Sequence, residues 1–182
     1  MHGDLDSLTN YMVVNYMGAL RQALMDLAAW VEKGIEPLPS TAYVLGEDGQ
    51  IHPETDITKR YGMQSVVNIT ANGSKCAHVQ VGEEVHFEID VQLPEGTGEV
   101  TGIEMADQEY SSNVFDVEFP AQLEYQRYVK NGIHGAKAVA ISTYDKPGTY
   151  FATVRVRTNR NGDPNAIYFQ ILNLDRVRIV VA

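Results

Sequence analysis

Cysteine occurs once in this chain, at Cys76, so neither an internal disulfide nor a cysteine-ligated zinc site can form within it. Long apolar runs are missing too: no stretch of about 18 such residues exists, so no helix is expected to span a bilayer. Basic residues are scarce. The 14 Lys and Arg face 24 Asp and Glu, a formal charge of −10. A surface that acidic repels phosphate backbones and anionic lipid, so neither nucleic acid nor a membrane is an expected partner. The opening residues MHGDLDSL lack the basic and apolar regions of a signal peptide. The chain as it stands is therefore expected in the cytoplasm, or outside the cell if it belongs to a larger secreted protein. No Gly-x-Ser-x-Gly elbow supplies a serine nucleophile, and no internal repeat or low-complexity tract is present.

What is present divides the chain by periodicity. Val13, Met17, Leu20, Leu24, Leu27 and Val31 recur at alternating steps of four and three, which aligns them on one helix face. Ala19, Ala23 and Ala28 flank that stripe with high helix propensity. Asp6, Ser7 and Thr9 offer capping oxygens, Gly34 suits the left-handed position past the end, and Pro37 stops continuation. Residues 1–34 are thus expected to be one amphipathic helix. Residues 35–64, opened by Pro37, Pro39 and Ser40, read as a linker lying along a surface. One short hairpin is expected in it, Ala42–Leu45 returning near Gln50–His52 across Glu47-Asp48-Gly49.

From Val66 the period becomes two. Val85, Phe87, Ile89, Val91 and Leu93 alternate with His86, Glu88, Asp90 and Gln92, a strand with one buried and one wet face. Tyr150, Ala152, Val154 and Val156 make a second such strand, and Val177, Ile179 and Val181 a third. Weaker strand candidates are 66–71, 77–81, 99–105, 122–128, 137–142 and 167–172. Asn72-Gly73, Pro94-Glu95-Gly96, Asn131-Gly132, Pro147-Gly148 and Asn161-Gly162 supply turns between them. Short strands at such spacing, with no interleaved helices, predict a mainly β fold, an antiparallel β-sandwich over residues 65–182.

The run Tyr144-Asp145-Lys146-Pro147-Gly148-Thr149-Tyr150, followed by alternating Ala152, Val154 and Val156, resembles the penultimate-strand signature of polycystic kidney disease (PKD) domains. Those are immunoglobulin-like sandwiches found appended to bacterial hydrolases. The segment from Val79 to Phe87, with a glycine turn before an alternating strand, is similar to the family's early part. The Trp and Gly-Asp of the family's central run are replaced here by Ile103-Glu104-Met105-Ala106-Asp107. The resemblance implies an Ig-like sandwich in which Pro147 and Gly148 turn the chain and Tyr150 tucks back as a corner residue. The N-terminal part, His2-Gly3-Asp4 ahead of a long amphipathic helix ending Gly-Ile-Glu-Pro-Leu-Pro, resembles the end of an α/β-hydrolase domain. That likeness implies that His2 stands where a triad histidine would, severed from its nucleophile.

Other candidate chemistry has plain alternatives. Cys76 lies two residues from His78, a spacing that fits either a thiol–imidazole pair or a half-buried thiol beside a surface histidine. His2, His52, His78, His86 and His134 show no metal-ligand spacing. Asn159-Arg160-Asn161-Gly162-Asp163 fits a calcium loop less well than a turn, because the acidic twelfth ligand is absent. Glu104, Asp107, Glu109, Asp116 and Glu118 could gather round a cation or form a solvated acidic face. Tyr110, Tyr125, Tyr128 and Tyr144 could stack on sugar rings or cover strand edges and corners. The sequons Asn68-Ile69-Thr70 and Asn72-Gly73-Ser74 matter only in a glycosylating pathway. The chain is therefore expected to be a non-catalytic accessory or interaction domain without a cofactor. Its expected partner is a hydrolase domain or a second copy held through the helix stripe. The alternative is a carbohydrate-binding module using a Tyr-bearing face.

Overall fold

The structure is a computed structural model that describes residues 14–107 and 122–182. Its first element, α1 (Met17–Lys33), begins later than the expected helix. Residues 14–16 are not helical, and the Asn15 carboxamide accepts from the Met17 N–H at 2.9 Å, a local bond that competes with the helical ladder. Val13 and the expected caps Asp6, Ser7 and Thr9 lie outside the described residues. The far end follows the sequence expectation. Gly34 is left-handed (φ 68°), and the N–H groups of Gly34 and Ile35 return to the carbonyls of Trp30 and Ala29.

Between residues 35 and 64 the expected hairpin forms as β1 (Tyr43–Leu45) and β2 (Ile51–Pro53), with Leu45 opposite Ile51. One helical turn, α2 (Ile57–Arg60), follows, capped by Asp56 on the Thr58 N–H. Backbone bonds from Ala42 to Arg60, Glu54 to Ala42 and Gly62 to Pro39 close this segment on itself.

Eight strands then build the sandwich: β3 (Val66–Ala71), β4 (Cys76–Val79), β5 (Glu84–Gln92), β6 (Glu99–Ala106), β7 (Tyr125–Lys130), β8 (Ile133–Thr143), β9 (Gly148–Asn159) and β10 (Ile171–Val181). One sheet runs β3-β5-β8-β7, the other β4-β10-β9-β6. The chain crosses from one sheet to the other at its first strand, where Asn72 and Gly73 both take positive φ (48° and 75°) and separate β3 from β4. β4 then lies parallel to the last strand, β10, while the remaining sandwich pairs are antiparallel. Two four-stranded sheets in this order, with the first strand divided between them, define an Ig-like β-sandwich.

Alternation decides what the sheets bury. Val85, Phe87, Ile89 and Val91 of β5 face Ala152, Val154 and Val156 of β9 and Val177 and Ile179 of β10, all buried. Two expectations need correction. Residues 167–172 are not a separate strand: Ile167–Phe169 is a 3-10 turn, and Ile171 opens one long β10 that includes 177–181. The strand expected at 122–128 starts at Tyr125, and Gln122 makes only an isolated bridge to Glu104.

Candidate functional site

On α1 the burial is inverted with respect to its apolar stripe. Leu20, Leu24, Leu27 and Val31 are 44, 57, 49 and 77% exposed, and Met17 is half-buried. The buried residues of this helix are instead Gly18 and Asp26. At roughly 100° per residue, Gly18, Gln22 and Asp26 lie on the side opposite the apolar stripe. That side docks on the sandwich. Gly18 sits so close to the Gln170 carbonyl that a β-carbon there would stand 1.8 Å from its oxygen. Asp26 takes both terminal nitrogens of Arg160 in a bidentate pair, and Gln22 donates to the same carboxylate at 2.9 Å. Arg21 lies over the Tyr168 ring, 5.2 Å from its centroid, and donates to the Tyr168 carbonyl. Burial pushes the Asp26 carboxyl up, but the hydrogen bonds from Arg160 and Gln22 and the guanidinium charge outweigh it and hold the group below its usual range.

The receiving surface is the connection between β9 and β10. Asn159 turns its carboxamide oxygen onto the N–H groups of Asn161 and Asp163, so the sequence read as a possible calcium loop spends that oxygen on its own backbone. Gln170 anchors the same connection to β6 through Thr101 Oγ1 (2.5 Å) and to the Asp163 carbonyl (2.8 Å). α1 thus packs on the 3-10 turn and β10 through a small and polar face.

The other sequence candidates lie apart. His2, Glu109, Tyr110, Asp116 and Glu118 fall outside the described residues. Pro147 and Gly148 are exposed at the entrance to β9. Tyr150 is half-buried there, donating to the Lys146 carbonyl at 2.9 Å with its ring 4.5 Å from that of Tyr144. Tyr144, read as a loop or edge residue, is 1% exposed and donates to the Asp107 carbonyl at 2.8 Å, so its ring belongs to the core. Burial raises its pKa, with the Asp107 charge adding to the shift. Tyr125 donates to the Val100 carbonyl and Tyr128 to Asp90. Burial first, then Asp90, push the Tyr128 phenol up to about 12. Glu104 is occupied by Arg155 at 2.5 Å and Arg157 at 3.3 Å, and Asp107 by Ser142.

Cys76 Sγ stands 3.7 Å from His78 Nε2 and 3.2 Å from Arg178 Nε on the outer face of the second sheet. Among the described residues no three His, Cys, Asp or Glu side chains come together at a spacing that would hold a metal. A cleft of about 230 Å³ opens at one sandwich end, lined in part by Leu93, Val100, Tyr128 and His134. It falls below the usual range of roughly 300–1,000 Å³ for ligand pockets, and its guanidinium, Arg127, is engaged by Glu99 and the Val100 carbonyl.

No protein-family profile and no curated protein matches this chain. Among solved structures it is similar to the major pilin subunit BcpA of Bacillus cereus, at a TM-score of 0.38 and 11% identity over 79% of this chain and 48% of that one. A point variant of the same pilin gives a TM-score of 0.36 at 9% identity, also over 79% and 48% of the two chains. The ASH/PapD-like domain of human CEP192 gives 0.30 at 15% identity, over 63% of this chain and 82% of that one. The chain thus spans about half the length of the pilin it matches.

Proposed function

We propose that this chain is a non-catalytic interaction domain: an Ig-like sandwich that displays an apolar helix face to a partner. The observation that carries the reading is the orientation of α1. Its polar and small residues are used within the chain, and its large apolar ones are left outward. Fully burying one leucine or valine is worth roughly 1.5–3 kcal/mol, so half-exposed residues in a row leave several kcal/mol of association free energy open. The hairpin β1–β2 adds Tyr43, Leu45 and Ile51, which share a face and are all exposed. An adjoining hydrolase domain, the partner implied by the resemblance of the N-terminal part, would occupy the same stripe. Of the tyrosines that a carbohydrate-binding face would use, Tyr144 lies in the core and offers no ring face to a sugar.

The test is a stability measurement on dilute protein. Leu20→Glu/Leu27→Glu changes two outward positions, so its melting temperature should match that of the wild type, as surface substitutions usually stay within about 0.5 kcal/mol. Its fluorescence enhancement of an apolar dye should fall. A melting temperature many degrees lower would mean that the chain buries the stripe in its own fold, and the reading would fail.

A further inference from the structure

We infer that Asn131, at the tip of the β7–β8 hairpin, is a site of spontaneous covalent modification, where the folded chain loses ammonia and the residue becomes aspartate or isoaspartate. The reaction belongs to Asn-Gly pairs, because glycine carries no β-carbon to shield its backbone nitrogen. That nitrogen gives its proton to hydroxide and bonds to the Asn Cγ. The Cγ–Nδ2 bond breaks, ammonia leaves with a proton taken from water, and a five-membered succinimide remains. Water then adds to one of the two imide carbonyls. Cleavage of the new Cγ–N bond gives aspartate; cleavage of the original peptide C–N bond gives isoaspartate, whose chain runs through Cγ. Water is the only co-reactant, nothing is oxidised or reduced, and a carboxylate replaces the amide.

The sequence holds three such pairs, and the fold treats them differently. At Asn72-Gly73 the group to be attacked is held. The Asn72 carboxamide oxygen accepts the His86 N–H at 2.9 Å, and the Asn72 N–H donates to the His86 carbonyl at 2.8 Å. At Asn161-Gly162 the attacking nitrogen is committed. The Gly162 N–H donates to the Asn159 carbonyl at 3.0 Å, and Gly162 is half-buried beside the Glu99 carboxylate. At Asn131-Gly132 neither end is held. Both residues are exposed, and no hydrogen bond among the described residues engages the Asn131 carboxamide or the Gly132 N–H. Nothing stands within 4 Å of where a Gly132 β-carbon would lie. This turn also opens at little cost. β7 is an edge of its sheet and the hairpin ends on the Lys130–Ile133 pair, so fraying there frees the backbone for ring closure while the core stays packed.

Peptide mapping by mass spectrometry tests this on the full chain, held folded in mildly alkaline buffer and, in parallel, unfolded in urea. In the folded chain the Asn131 peptide should convert first. It should lead the Asn72 and Asn161 peptides by about fivefold, the population cost of first breaking one hydrogen bond. In urea the three should convert at similar rates. Asn131→Gln should remove the early acidic species from ion-exchange profiles, and labelled methyl transfer by an isoaspartyl carboxyl methyltransferase should fall with it. Folded protein in which Asn72 or Asn161 converts as fast as Asn131 would overturn the inference. So would an Asn131 that stays intact on the timescale of the urea sample, or a lead that persists unchanged in urea, because the fold would then not be what selects the site.

Discussion

Two tyrosines six residues apart divide one corner of the sandwich between them. Tyr150 is the corner residue by geometry: it stands near the start of β9, and its hydroxyl reaches back four residues to the Lys146 carbonyl. Tyr144 is the anchor by energy, fully buried and hydrogen-bonded to the carbonyl of Asp107 after β6. The costs of truncation should follow burial. Tyr144→Ala empties a core position and should cost about 3–5 kcal/mol, as for large aromatic truncations. Tyr150→Phe loses one exposed hydrogen bond and keeps the ring against Tyr144, so it should cost about 1 kcal/mol or less. Urea denaturation of both variants checks the order. Equal losses would mean that the Tyr150 hydroxyl, and not the Tyr144 ring, holds the corner.

At the scale of elements, the strands were more legible than the helix. β5 reads correctly residue by residue because one face is wet and one dry, and the even period leaves no other register. The start of β10 is obscured because Leu172 and Leu174 fall on even positions while Val177, Ile179 and Val181 fall on odd ones, so the alternation changes phase within one strand. The α1 stripe was visible in spacing alone, but its direction was not. Asp26 looks like a solvent residue until Arg160, 134 positions away, is folded beside it, and Gly18 looks like a weak helix residue until the Gln170 carbonyl arrives. Nothing local announces either partner. Because the docked face rests on that carboxylate, it should respond to acid. The Asp26 pKa is held below its ordinary value of 3.8 in the folded chain, so its contribution is present above about pH 4 and is lost as pH falls through the depressed value. Trp30, the one tryptophan, lies on α1 and reports its freedom. Its fluorescence anisotropy should fall as the pH drops below the ordinary carboxylate range, and Asp26→Asn should show the lower value already at pH 7. Anisotropy that is flat with pH in the wild type would show that the helix is held by other contacts.

For the whole molecule, the question is whether the sandwich needs what precedes it. Among the described residues the core cluster is drawn from positions 69 to 181, and neither α1 nor the β1–β2 hairpin contributes a side chain to it. At the junction the earlier residues supply the Asp26–Arg160 pair, Arg21 on Tyr168 and Gln64 donating to the Leu172 carbonyl, with Leu38 lying against Gly96 as an apolar contact. Removing residues 1–64 takes away Asp26 together with its helix and leaves Arg160, already a third exposed, free to be solvated. The net loss from such a pair is then on the order of 1 kcal/mol, far below what unpairing a deeply buried ion would cost. Residues 65–182 should therefore fold alone, with strand-type circular dichroism and a single cooperative transition only a few degrees below that of the full chain. Both sheets of the sandwich are complete in that fragment, β3 and β4 included, so no edge is newly opened by the cut. If the fragment instead gave a broad, noncooperative melt with retained β signal, side-chain packing between the sheets would depend on the helix. The docked polar face of α1 would then be part of the core's stability, not an attachment to a finished domain.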